Sequence, residues 1–204
     1  MILLTAFEPF GGASVNASQE VARRLADADP ALRLVVLPVV RGAAERLALA
    51  ALREMTDAGT PPCLLLALGE AGKAAQVRLE KAAVNWDDFR IPDNAGNQPR
   101  DESIVEGGPA TYFATLPLAR IADALQEKTP VPVVVSLSAG AYLCNHLAYA
   151  VSHALANGFV ADPPPFGFVH VPAAREGDEG AVSVEAVAQT VRAIIDLAQQ
   201  TAPL

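Results

Sequence analysis

Short apolar runs alternate with segments of helical period along most of the chain, and this alternation constrains the fold more than any other feature. Residues 2–6, 32–37 and 63–68 are apolar runs of strand length, the kind that fills a buried parallel sheet. Between them, Val21, Ala22 and Leu25, then Ala44, Leu47, Ala48, Ala51, Leu52 and Met55, recur at the spacing of one helix face. Asn16 stands where a helix N-cap belongs, with Gln19 three positions on as in a capping box. Residues 76–80 alternate polar and apolar, which predicts a strand with one wet face. Leu118, Ile121, Ala122 and Leu125 mark a further helix. Residues 166–171 read as a late strand, and Ser183 caps a last helix. The pattern is that of an α/β protein with a mostly parallel twisted sheet and helices on both faces. A chain of 204 residues with no repeat or linker forms one such domain, residues 1–204.

Composition removes several classes of function. The formal net charge is −8, and no basic cluster interrupts it. There is thus no electrostatic footprint for nucleic acid or for an anionic membrane surface. No apolar run approaches ~18 residues, the length that spans a bilayer. The first residues lack the basic leader of a signal peptide. Two cysteines in a chain this long do not make a disulfide framework, which points to a reducing compartment, the cytoplasm. Cys63 begins an apolar run and reads as part of a buried strand.

Chemistry concentrates in residues 133–149. Val133, Val134 and Val135 read as a central strand buried on both faces. Ser136, Ser138 and Gly140 supply turn chemistry, and Leu143, Leu147, Ala150 and Ala154 then step as a helix. Cys144 falls in the first turn of that helix, where free N–H groups and the helix dipole stabilise an anion. The same groups can hold a developing oxyanion. A lone helical cysteine is equally a small buried hydrophobe. A thiolate nucleophile needs a base and a group to orient that base. His170, in an apolar setting, is the best base candidate, because His146 points to another face from Cys144 and His153 lies more than two turns away. Taken alone, His170 also fits a core histidine, and Glu80 an ordinary solvated carboxylate. Phe7, Cys144 and His170 all fall at or just past the end of a predicted strand, where open α/β sheets collect ligands. Residues 85–108 lack periodicity and form a long irregular segment, which in a compact domain is functional or disordered. No spacing suggests a metal site, and no glycine-rich phosphate loop is present.

Four separated motifs carry a family resemblance. They are Thr5-Ala6-Phe7-Glu8-Pro9-Phe10-Gly11-Gly12 followed by Asn16, then Leu79-Glu80-Lys81-Ala82-Ala83-Val84-Asn85 continuing to Arg90-Ile91-Pro92-Asp93-Asn94. Then come Ser136-Leu137-Ser138-Ala139-Gly140-Ala141-Tyr142-Leu143-Cys144-Asn145 and Phe168-Val169-His170-Val171-Pro172. In this order they resemble pyroglutamyl peptidase I, a cysteine peptidase family. The resemblance implies a Cys144–His170–Glu80 triad in a single-domain α/β/α sandwich. It implies removal of an N-terminal pyroglutamyl residue from peptides, no metal or cofactor, and often a homotetramer. Phe7 and Phe10 would be the aromatic walls for the lactam ring, with Asn16 close to them and Arg90 near the nucleophile.

The chain departs from the family pattern at three positions. Ala6 replaces a glycine, Lys81 an arginine, and Glu70 a glutamine beside the substrate pocket. An ionised glutamate only accepts hydrogen bonds. Either the backbone around Glu70 contacts the ligand and the side chain turns to solvent, or the carboxylate accepts from the ring N–H. Gly69 and Gly72 favour the first arrangement. Two other readings share the same residues: a binding protein for N-blocked or cyclised peptides, and a thiol hydrolase of another small lactam or amide.

Overall fold

The computed structural model describes residues 1–72, 74–174 and 182–201. Its sheet grows around β1 (Ile2–Phe7), which pairs in parallel with β2 (Leu32–Leu37) on one side and β3 (Leu64–Ala71) on the other. The next strand out is β8 (Phe166–Pro172), again parallel to β3. Two reversed strands complete the sheet: β4 (Val77–Glu80) runs antiparallel to β8, and β7 (Val133–Ser136) runs parallel to β4. The order is therefore β2-β1-β3-β8-β4-β7. A small separate ribbon joins β5 (Ala82–Val84) to β6 (Thr111–Phe113).

Helices cover both faces, as the alternation predicts. Because side chains alternate along a strand, each face has its own core. Ile2, Leu4, Leu66, Leu68, Val77, Leu79, Val169 and Val171 pack against α1 (Ala17–Ala28), α3 (Leu118–Leu125) and α5 (Val184–Thr201). Leu3, Phe7, Leu65, Ala67, Phe166 and Phe168 pack against α2 (Ala43–Asp57) and α4 (Leu143–Ala156). The result is an α/β/α sandwich. Among the described residues no helix is long and apolar enough to cross a membrane.

Asn16 caps α1 by accepting from the Ser18 N–H, so the cap is made without the predicted Gln19 box. Ser183 Oγ accepts from Ala186 N–H at the start of α5. Three expectations are corrected. β7 is an edge strand, not a central one, and Val135 is exposed. Its reversed direction also means that Cys144 does not follow directly from a strand end in line with His170. Residues 137–142 instead fold back to carry the start of α4 toward β8. Cys63 lies just ahead of β3 and is exposed.

Candidate active site

His170 and Glu80 are diagonal neighbours across an antiparallel pair. β8 and β4 place Arg78 opposite His170 and Glu80 opposite Phe168, so all four side chains share the face covered by α4. His170 Nδ1 lies 2.8 Å from Glu80 Oε1, and both residues are buried, at 7% and 4% exposure. Glu80 is thus no solvated surface carboxylate. The wet face expected of β4 is roofed by the segment that leads into α4.

Cys144 occupies the other side of the imidazole. Burial opposes the charged ring, but the charge of Cys144, its hydrogen bond and the Glu80 carboxylate outweigh that and push His170 up to about 10. With Nδ1 committed to Glu80, Nε2 is the nitrogen that serves the thiol. Gly69 makes room for this arrangement. A Cβ there would sit 2.8 Å from Phe168 Cζ and 2.9 Å from Cys144 Sγ. β3 therefore needs a glycine opposite His170, because a larger residue would displace the sulfur.

α4 begins at Tyr142 with no side-chain cap. Tyr142, Leu143 and Cys144 at this helix start line the cavity and no side chain caps their N–H groups, which is the form an anion site takes at a helix N-terminus. The cavity is about 350 Å³ and is lined by Phe7, Phe10, Asn16, Glu70, Arg78, Tyr142, Cys144 and His170, among others. Tyr142 stacks obliquely with Phe10 at 6.1 Å between ring centres. Burial, then the charges of Asp93 and Cys144, push its hydroxyl up to about 12, so it stays protonated and donates to Pro92 O.

The remaining expected residues are placed as follows. Asn16 lines the cavity, but its side chain is largely committed to the Ser18 cap and to Glu8 O. Glu70 Oε2 accepts from Ala17 N–H at 2.6 Å, at the positive end of α1. Its side chain does not turn to solvent as favoured from the sequence. Ala6 and Lys81 do not line the cavity, and Lys81 Nζ lies over the Phe113 ring. Arg90 is exposed and lies outside the cavity lining, contrary to expectation.

Sequence reasoning missed Arg78 and Tyr142 as parts of the site, and read Gly69 for its backbone freedom and not for the room it gives Cys144 Sγ. It also passed over a buried ionic clamp beside it. His146 Nδ1 lies 2.7 Å from Asp87 Oδ2 and its Nε2 lies 3.5 Å from Glu45 Oε1, while Arg41 bridges Asp87 and Glu102. Burial disfavours its charge, yet Asp87 and Glu45 prevail and push His146 up to about 9. The clamp ties α2 and the irregular segment to α4 at His146, two residues past Cys144. Asn145 completes the join through bonds to Val84 N–H, Val84 O and Trp86 O.

The model of a known family, described as pyroglutamyl peptidase, matches residues 1–201. This chain belongs to that family. A pyrrolidone-carboxylate peptidase from Streptomyces coelicolor is 42% identical over 98% of this chain and 92% of its own length. Another from Vibrio parahaemolyticus is 39% identical over 91% and 86%. Among solved structures, a mutant pyrrolidone carboxyl peptidase from Pyrococcus furiosus superposes with a TM-score of 0.86 at 34% identity, covering 99% of both chains. Pyroglutamyl peptidase I from Bacillus amyloliquefaciens gives 0.81 at 33% identity, covering 98% and 96%. These family members share the α/β/α architecture across essentially the full chain.

Proposed function

We propose that this chain is a cysteine exopeptidase that removes the N-terminal pyroglutamyl residue from peptides. The observation that carries the reading is the arrangement of His170, held by Glu80 through Nδ1 and set beside Cys144 in the same aromatic-walled cavity. The flat lactam lies between Phe7 and Phe10, which orient it by ring-face contact. The Cys144 thiolate attacks the carbonyl that joins pyroglutamate to the next residue. First-turn N–H groups of α4 hold the oxyanion that forms. The imidazolium of His170 passes its proton to the leaving amine, and the C–N bond breaks to leave a thioester. His170, now neutral, takes a proton from water, which attacks the thioester and regenerates the thiolate. Glu80 holds the ring tautomer and supports its charge throughout. The homotetramer implied by the resemblance belongs to the same reading.

The test compares release of a fluorescent amine from a pyroglutamyl conjugate and from the unblocked glutamyl conjugate. Rapid release from the first alone supports the reading. Binding without turnover makes the chain a receptor for blocked peptides, and equal release from both removes the lactam from the specificity.

A further inference from the structure

Arg78 is a cavity-lining cation to which neither the triad nor the lactam wall assigns a role. It lines the same cavity as Cys144 and His170. Among the described residues no hydrogen bond or ion pair engages its guanidinium. The two carboxylates of the cavity are each engaged elsewhere: Glu80 bonds His170 through Oε1, and Glu70 accepts from the Ala17 N–H, so neither forms an ion pair with Arg78. Among the described residues Arg78 thus offers the cavity an unpaired positive charge for a ligand to meet. A half-covered arginine without a partner is unusual in a folded interior.

Register fixes which part of the substrate it meets. Arg78 is the direct cross-strand neighbour of His170, and side chains so placed stand about 5 Å apart at their Cβ atoms on one face. In the mechanism above His170 protonates the leaving amine. The residue that departs therefore lies beside His170, and so beside Arg78. In a pyroglutamyl dipeptide the free α-carboxylate is only two bonds from that amine. A guanidinium on its long stem reaches such a carboxylate and can grip it with two parallel N–H bonds.

We propose that Arg78 is a specificity-determining residue that binds a carboxylate on the residue following pyroglutamate, favouring pyroglutamyl substrates with an acidic leaving residue. The inference rests on the peptidase reading. The carboxylate has two possible sources, the α-carboxylate of a dipeptide or an acidic side chain.

The experiment measures kcat/KM for pyroglutamyl-alanine, pyroglutamyl-alanine amide and pyroglutamyl-glutamate α-amide, with the native chain, Arg78→Gln and Arg78→Lys. The native chain should favour at least one acid over the neutral amide by about tenfold or more, the effect of one charge-assisted contact. Preference for the dipeptide identifies the α-carboxylate, and preference for the glutamate amide identifies the side chain. Arg78→Gln should abolish the acid-to-amide ratio, and Arg78→Lys should restore part of it. The ratio is internal to each protein, so a change in folded fraction cancels. An acid-to-amide ratio near one in the native chain, or an unchanged ratio in Arg78→Gln, overturns the proposal. Turnover of the neutral amide shows that the peptidase reading stands whatever becomes of Arg78. Failure to cleave all three overturns both.

Discussion

At Gly69 the demand of the site on a single residue is easiest to see. A methyl group there meets Cys144 Sγ at 2.9 Å and an aromatic edge at 2.8 Å, so Gly69→Ala should shift the nucleophile rather than unfold the strand. Misplacement by an ångström costs catalysis about 10²-fold. We expect kcat to fall by at least about tenfold while the circular dichroism spectrum is retained; unchanged turnover would mean that the sulfur is not held against β3. Glu80→Gln should act differently. It keeps an acceptor for His170 but removes the charge that supports the imidazolium, so kcat should drop about 10²-fold or more. Stability should change by only about 1–3 kcal/mol. Steady-state kinetics and a urea midpoint on the same preparation separate the two effects. Glu70→Gln should leave KM within about threefold, because a glutamine oxygen can still accept from Ala17 N–H. A tenfold shift would place the side chain in direct contact with substrate.

Among the elements, α4 carries the most function and is held at its first turns from outside. His146, Asp87, Glu45 and Arg41 form a clamp whose centre, His146 with Asp87, is buried, and removing one partner of a buried ion pair leaves the others uncompensated. We expect His146→Ala to destabilise the protein by about 3 kcal/mol at neutral pH. The native pKa of about 9 lies above the ordinary 6.5, so the clamp contributes fully below about pH 6.5 and fades as pH rises through about 9. Urea midpoints between pH 7 and 10 should fall in the native chain. They should fall less in the variant, where only the similar titration of His170 remains; parallel curves would remove His146 from the clamp. The elements also show what was legible. Period and capping placed every described helix near its true position, and apolar runs or, for β4, alternation marked the strands of the main sheet, whereas the β5–β6 ribbon was not read from the sequence. The three valines of β7 signalled a strand but not its place at the sheet edge, because β-branched propensity carries no information on neighbours. Likewise the alternation in β4 put Arg78 and Glu80 on one face without saying that this face is roofed.

For the molecule as a whole, the α/β/α sandwich follows from strand–helix alternation, whereas the reversal of β4 and β7 does not. That reversal brings Glu80 and Arg78 alongside His170, and it arises from long-range pairing that no local pattern encodes. Cys144 and His170 stood out in the sequence through helix position and apolar setting. Arg78, Tyr142 and the His146 clamp did not, because their meaning comes from what lies across the cavity. Folding also sets the two cysteines apart: Cys63 is exposed, its sulfur donating to Met1 O and accepting from the Gln199 amide, whereas Cys144 lies beside the imidazole. The most direct test is therefore an acid quench of the protein during turnover of an activated pyroglutamyl ester, followed by peptide mapping. Covalent catalysis by Cys144 predicts a pyroglutamyl thioester on the peptide that contains Cys144, absent in Cys144→Ala. An adduct on Cys63, or turnover that persists in Cys144→Ala, would contradict it.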